Sequence, residues 1–267
     1  MKIPSSNLGR IYCVQKLFLT FRTIFVHNMF SPCSAKRRAS DKDLPVQDIN
    51  PGGEGIWTPL HWAAENGHFD VCKMLIERLK EKNPGDKDGW TPMHCATQSG
   101  HFKIVELMIH YLEDKNPSTH VGWTPLHCTA QNGNAEICKL ILDKIDVKNP
   151  ASSEGWTPLH YMAKLGYFEL CQLIISDLSD KNPSNIMGET PLHYAAYGGH
   201  LKVCKLIIEN VNVRHPKDIN GLTPTMWSLR SDLSSMSTHN QLLGLFGEKP
   251  VSHCYFTILK HRKNDLH

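Results

Sequence analysis

The chain has 267 residues, of which 40% are hydrophobic and 21% charged; that is enough apolar mass for one large or two small packed domains and too much for wholesale disorder. Its 29 Lys and Arg against 26 acids leave a net charge of +3, too small a surplus to build a nucleic-acid surface by itself. Nine cysteines without a CxxC pair, and no Asn-x-Ser/Thr site once Asn116-Pro-Ser and Asn182-Pro-Ser are set aside, argue against a secreted, disulfide-stapled protein.

The basicity lies at the N-terminus. Residues 1–49 hold eight Lys or Arg (Lys2, Arg10, Lys16, Arg22, Lys36, Arg37, Arg38, Lys42) against three Asp, whereas residues 50–216 hold 15 basic and 19 acidic residues. Residues 11–30 are apolar, but Lys16 and Arg22 interrupt them, and the longest uncharged run, Thr23 to Ala35, is shorter than the ~20 residues of a membrane span. No transmembrane helix is predicted. The absence of acids before Asp41 and the frequent serines have the composition of a mitochondrial transit peptide, yet Arg10, Lys16 and Arg22 leave no clean polar helix face. Lys36-Arg37-Arg38 has the composition of a weak nuclear signal, and Arg37-Arg38-Ala39-Ser40 that of a basophilic-kinase site at Ser40. The simplest expectation for residues 1–49 is a solvated, disordered leader.

From residue 50 the chain is periodic. Thr58-Pro-Leu-His recurs as Thr91-Pro-Met-His, Thr124-Pro-Leu-His, Thr157-Pro-Leu-His and Thr190-Pro-Leu-His, then degenerates to Thr223-Pro-Thr-Met, in steps of 33 residues without an insertion. Each Thr suits an N-cap and each Pro the first helical position, where its missing N–H costs nothing. A short helix is therefore predicted after each Thr, stopped by Gly67, Gly100, Gly133, Gly166 and Gly199. A second helix follows, with apolar residues at i, i+3, i+4 in Val71-Cys72-Lys-Met74-Leu75-Ile76 and Val203-Cys204-Lys-Leu206-Ile207-Ile208. One pair cannot bury that stripe, so pairs must stack, and stability becomes a sum of repeat and nearest-neighbour contributions. The segments ending Lys82-Asn83-Pro84, Lys115-Asn-Pro117, Lys148-Asn-Pro150, Lys181-Asn-Pro183 and Arg214-His-Pro216 predict turns.

A 33-residue period with this TPLH signature resembles the ankyrin-repeat family. The resemblance covers residues 50–216 as five repeats, with 217–247 a degenerate sixth repeat or C-terminal cap and 248–267 a tail expected to be disordered. It implies an all-α fold, an α-solenoid of ankyrin repeats made of helix-turn-helix pairs and hairpin turns. Two departures stand out. Where the family ends its second helix with Gly, this chain has Leu79, Leu112, Ile145, Leu178 and Val211, so a different cap and a slightly longer helix are expected. Where the family has small or β-branched residues before the hairpin Asn, this chain has Lys82, Lys115, Lys148, Lys181 and Arg214, a column expected to be exposed, with Glu81, Asp114 and Asp180 as counter-charges. In the sixth unit the phase of Val203 and Leu206 falls on Met236 and His239, and Leu242, Leu243, Leu245 and Phe246 fit only if extra residues intervene.

The five TPxH histidines, His61, His94, His127, His160 and His193, invite a metal reading. They recur once per repeat, separated by the ~10 Å of stacked helices, against Zn–N distances of about 2.0 Å. The resemblance implies instead that they tie adjacent repeats by hydrogen bonds. Cys72, Cys138, Cys171 and Cys204 share one phase with Val105 and read as small buried hydrophobes. Cys95 and Cys128 follow their histidines directly, where helical neighbours diverge by about 100°, a poor thiol dyad. There is no Gly-rich phosphate loop, GxSxG or HExxH, so no enzyme, cofactor or metal site is expected.

Trp57, Trp90, Trp123 and Trp156 precede the capping Thr, a position the resemblance places on the concave side beside the hairpin tip. Such aromatics suit a binding surface; equally, they suit packing of each indole along its neighbour. The ladder ends at Glu189 and Leu222, so the first four repeats are expected to dominate binding there. Lys87, Asp88, Gln98, Ser99, His120, Val121, Gln131, Asn132, Ser153, Glu154, Lys164 and Leu165, with Ile186, Met187 and Tyr197, vary against the uniform scaffold and match where ankyrin proteins place partner-specific side chains. The expectation is a non-enzymatic protein–protein interaction scaffold, intracellular and cytoplasmic, binding a protein and no nucleic acid. The alternative is a piece of a longer array serving as a spacer or membrane-skeleton linker. Partner identity and oligomeric state are left open, since one fold hosts many functions.

Overall fold

A computed structural model describes residues 57–231 and 235–252. The leader expected over 1–49, Ser40 and most of the expected tail lie outside these residues.

Twelve helices form six antiparallel pairs among the described residues, with no strand. The first helices of the pairs are α1 (Pro59–Glu65), α3 (Pro92–Gln98), α5 (Pro125–Asn132), α7 (Pro158–Leu165), α9 (Pro191–Tyr197) and α11 (Pro224–Arg230). The second helices are α2 (Phe69–Arg78), α4 (Phe102–Tyr111), α6 (Ala135–Leu142), α8 (Phe168–Ile175), α10 (Leu201–Asn210) and α12 (Met236–Phe246). First helices stack on first helices and second on second, giving an all-α repeat solenoid. Its core is periodic as well: Leu60, Met93, Leu126, Leu159 and Leu192 on the first helices, and Leu75, Met108, Ile141, Ile174 and Ile207 on the second, are all buried. Each such side chain contributes about 1.5–3 kcal/mol on leaving water.

In α3, α5, α7 and α9 the backbone donors of the first turn are accounted for. Pro at the first position has no N–H. The second-position amides of Met93, Leu126, Leu159 and Leu192 donate to the side-chain carbonyls of Asn83, Asn116, Asn149 and Asn182 at 2.9–3.0 Å. The third position is His, and its backbone N–H donates to the Thr hydroxyl of a capping box.

The Lys column differs from expectation. Only Arg214 is exposed; Lys82, Lys115, Lys148 and Lys181 are half-buried, because their ammonium groups turn back onto the end of the preceding helix. Lys82 Nζ donates to Ile76 O at 2.6 Å and Leu79 O at 3.0 Å. Lys115 reaches Ile109 O and Leu112 O, Lys148 reaches Leu142 O and Ile145 O, and Lys181 reaches Ile175 O. A cation on helix-terminal carbonyls is favoured by the macrodipole and satisfies groups the helix cannot. The Lys thus replaces the family's Gly cap, and the preceding Leu79, Leu112 and Val211 are extended rather than left-handed. The second helices therefore end at or before these positions instead of running past them. Asp114 and Asp180 do not serve as counter-charges; they accept the backbone amides of Asn116 and Asn182.

Gly133 stops α5 with φ +76°, and a methyl group there would lie 2.8 Å from Cζ of Tyr167, whose ring fills the space against the next repeat. In the sixth pair, His239, Leu242 and Leu243 take the buried places of Cys204, Ile207 and Ile208, two residues beyond the 33-residue phase. The longer connection between α11 and α12 absorbs that shift, and the His239 imidazole is anchored on Ser228 Oγ at 2.6 Å.

Gly133→Ala is expected to lower the unfolding free energy by about 2 kcal/mol, from the left-handed backbone and the overlap with Tyr167. Urea titration of a double-mutant cycle with Tyr167→Ala checks it: the overlap should cancel in the double variant and appear as a favourable coupling, while the backbone cost persists.

Candidate interaction surface

Each repeat is joined to the next by an imidazole. Nδ1 of His61, His94, His127, His160 and His193 takes the backbone N–H of its own capping Thr at 3.1–3.2 Å. Nδ1 is therefore the unprotonated nitrogen, and Nε2–H donates across the repeat boundary to Trp90 O, Trp123 O, Trp156 O, Glu189 O and Leu222 O at 3.0–3.2 Å. The same carbonyls accept the N–H that closes each hairpin, from Asp86, Thr119, Ser152, Asn185 and Asp218. Both lone pairs of one carbonyl thus hold the turn and the joint. All five imidazoles are buried, and burial pushes their pKa down, to about 4 for His94, His127 and His160 and in the same direction for His61 and His193. They are neutral scaffold groups.

The hairpins carry a second column that sequence reading passed over. The side-chain oxygens of Asp86, Thr119, Ser152, Asn185 and Asp218 accept the amide four residues on, at 2.8–3.1 Å, in the manner of Asx- and ST-turns. Their recurrence every 33 residues with a small oxygen-bearing side chain was the available signal. Adjacent tips are then pinned by single backbone bonds: His120 N to Asp88 O, Ser153 N to Val121 O, Ile186 N to Glu154 O and Ile219 N to Met187 O, at 2.8–3.0 Å.

Trp57, Trp90, Trp123 and Trp156 are half-buried. Each packs on the imidazole of its own repeat with ring centroids 4.8–5.7 Å apart. Trp57 Nε1 donates to Asp86 Oδ2 at 3.0 Å. Trp123 Nε1 is buried and faces the Cys128 thiol rather than an oxygen acceptor. Beyond Trp123 the aromatic file does not stop at Glu189. It continues through residues that follow the TPxH motif: Trp123 against Tyr161 (5.0 Å), Tyr161 against Trp156 (5.1 Å), Trp156 against Tyr194 (4.9 Å) and Tyr194 against Trp227 (5.2 Å). In repeats two and three that position is Cys95 or Cys128, so the continuation changes column, which hid it from the period. Lys164 Nζ lies over both Trp156 and Tyr194, 5.9 and 5.8 Å from the ring centres, within cation–π range.

The variable residues fall as follows. Lys87, Asp88, Gln98, Ser99, His120, Val121, Asn132, Ser153, Glu154, Lys164 and Leu165 are exposed, as are Ile186, Met187 and Tyr197, while Gln131 is half-buried. Asn132 has a structural duty: its amide donates to Thr97 O at 2.8 Å and Gln98 O at 3.2 Å, holding the end of α3. His101 and His200 do the same for Glu65 O and Lys164 O. The free thiols Cys72, Cys95, Cys128, Cys138, Cys171 and Cys204 are buried, and burial raises their pKa, to about 11 for Cys138 and about 12 for Cys72, Cys128, Cys171 and Cys204. A thiolate is strongly disfavoured at each.

A family model described as ankyrin repeats (3 copies) matches residues 36–119, 108–185 and 166–243. No curated protein matches the chain. Among the described residues no helix is long and apolar enough to cross a membrane.

Because the unfolded chain takes up protons on its histidines near pH 6.5 and the folded joints refuse them until about pH 4, stability is full above pH 6.5. It is expected to fall across that window by on the order of a few kcal/mol per imidazole, read as a falling urea midpoint. In a variant with Cys13, Cys33 and Cys254 changed to Ser, the six buried thiols should resist an aromatic disulfide reagent in the native state and all react after denaturation.

Proposed function

The chain belongs to the ankyrin-repeat family, and from that premise we propose that it is a non-enzymatic scaffold that binds a protein partner along the concave side formed by its hairpins and first helices. One contrast carries this reading. The histidines that join neighbouring repeats recur unchanged through the first five, whereas side chains at fixed phases between them differ from repeat to repeat: the exposed Lys87, His120, Ser153, Ile186 and Ile219 at one hairpin phase, and the exposed Gln98, Lys164 and Tyr197 with the half-buried Gln131 at one first-helix phase. A surface kept in geometry but varied in chemistry suits recognition, where affinity resides in a few anchors. The buried neutral imidazoles and high-pKa thiols offer no poised acid, base or nucleophile.

In this reading the half-buried tryptophans stiffen the surface and lend the partner their exposed edges, while Lys87, Asp88, Gln98, Ser99, His120, Val121, Ser153, Glu154, Lys164 and Leu165 select it. Gln131 and Asn132 contribute mainly through the scaffold. The setting is intracellular and cytoplasmic.

The test is affinity capture with the full chain and mass spectrometry, followed by titration of the purified partner. Lys87→Glu with His120→Glu should weaken binding about tenfold or more, and Lys103→Glu with Lys202→Glu, on the exposed side of the second helices, should leave it unchanged. The reverse ranking would place the partner elsewhere.

A further inference from the structure

Exposed apolar side chains are spread unevenly along the stack. On the hairpin and first-helix side, repeats two and three present Lys87, Asp88, Gln98, Ser99 and His120, and Val121 is their one large exposed hydrophobic residue there. Repeats four to six present Leu165 (41% exposed), Ile186 (66%), Met187 (43%), Tyr197 (39%), Ile219 (67%) and Met226 (48%). The underlying framework is continuous. Met187 O accepts Ile219 N–H at 2.8 Å, the Tyr197 and Tyr194 rings lie 6.2 and 5.2 Å from Trp227, and Trp156 closes the file 4.9 Å from Tyr194.

The charge on this patch is of one sign where it is free to act. Lys164 lies over Trp156 and Tyr194, and no carboxylate within ion-pair range is found for it among the described residues. Lys217, on the sixth hairpin, is a second exposed cation. The neighbouring acids are committed inward. Glu189 accepts from the Tyr194 hydroxyl and from Asn185 Nδ2, and Asp218 accepts Trp227 Nε1 at 3.0 Å together with the amides of Asn220 and Leu222. Glu154, exposed on the fourth hairpin, bounds the patch on its N-terminal side, so the sign of charge reverses across one repeat.

We propose that this patch is the docking site for a partner segment that combines aromatic or aliphatic side chains with carboxylates. Its apolar groups pack on Leu165, Met187, Tyr197 and Met226, and a carboxylate sits on the Lys164 ammonium. That exposed cation is held over two rings, so a carboxylate meets an ammonium already placed beside the apolar groups, and Glu154 turns the acidic end of the segment away from repeat four's hairpin. The proposal rests on the scaffold reading above. It moves the emphasis from the first four repeats, where the Trp ladder alone would put it, to repeats four to six.

A displayed library of random peptides panned against the full chain tests it. Enriched peptides should carry Asp or Glu beside Leu, Phe, Tyr or Trp. A synthetic peptide of the enriched sequence should lose about tenfold in affinity to Lys164→Glu, less to Lys164→Met, which keeps the aliphatic stem, and nothing to Gln98→Ala with His120→Ala. Changing the peptide's acid to Lys should restore binding to Lys164→Glu. Enrichment of basic or uncharged peptides, or binding indifferent to Lys164, overturns this proposal while leaving the scaffold reading intact. Failure of any peptide to enrich, together with failure of affinity capture, overturns both. Concentration-dependent dimerisation abolished by Lys164→Glu would assign the patch to a second copy of the chain and also overturn it.

Discussion

The structure depends on one hydrogen bond made five times: a neutral imidazole of one repeat donating through Nε2 to the carbonyl that closes the next repeat's hairpin. Its strength as a joint comes from having no freedom. Nδ1 is held by the N–H of the capping Thr, which fixes the tautomer, and burial keeps the ring uncharged. A side chain that is part of its own helix cap thereby becomes the link to a neighbour. Local helix initiation and repeat stacking are the same event, which makes the array cooperative across nearest neighbours.

The second constraint is the satisfaction of helix ends. Six pairs of helices of seven to eleven residues have a large share of their backbone groups in terminal turns, where no intrahelical partner exists. The Lys-Asn-Pro tripeptide serves both directions. Its Lys returns to the carbonyls of the helix before it, and its Asn reaches forward to the second amide of the helix after it. Three residues between two helices thus replace two separate caps. With the termini closed by conserved-phase groups, the remaining hairpin and first-helix positions are released from structural work and can vary in chemistry without changing the stack.

That freedom is not spent evenly. Towards the N-terminal repeats the exposed positions are polar and the indoles pack on imidazoles. Towards the C-terminal repeats aromatic residues from two phases merge into one file, and exposed aliphatic tips and an unpaired lysine gather around it. The scaffold supplies a regular lattice of positions, and the side chains placed on it give the two ends of the surface different chemistry.

Much of this was legible in the sequence because a repeat protein makes local signals and tertiary contacts share one period. Thr-Pro fixed each helix start, Gly its end, and the 33-residue spacing of His61 through His193 placed every joint. What the sequence alone could not decide was where long side chains go once a neighbouring helix end is near. The lysines expected in water fold back onto carbonyls, the aspartates beside them cap amides, and Asn132 spends its amide on the repeat before. The aromatic file likewise crosses from the phase of Trp156 to that of Tyr161 and Tyr194, a step invisible to a comparison of like positions. Periodicity determines which backbone groups recur; only the stacked structure determines which of them lies within reach of a flexible side chain, since that depends on distances between residues far apart in sequence.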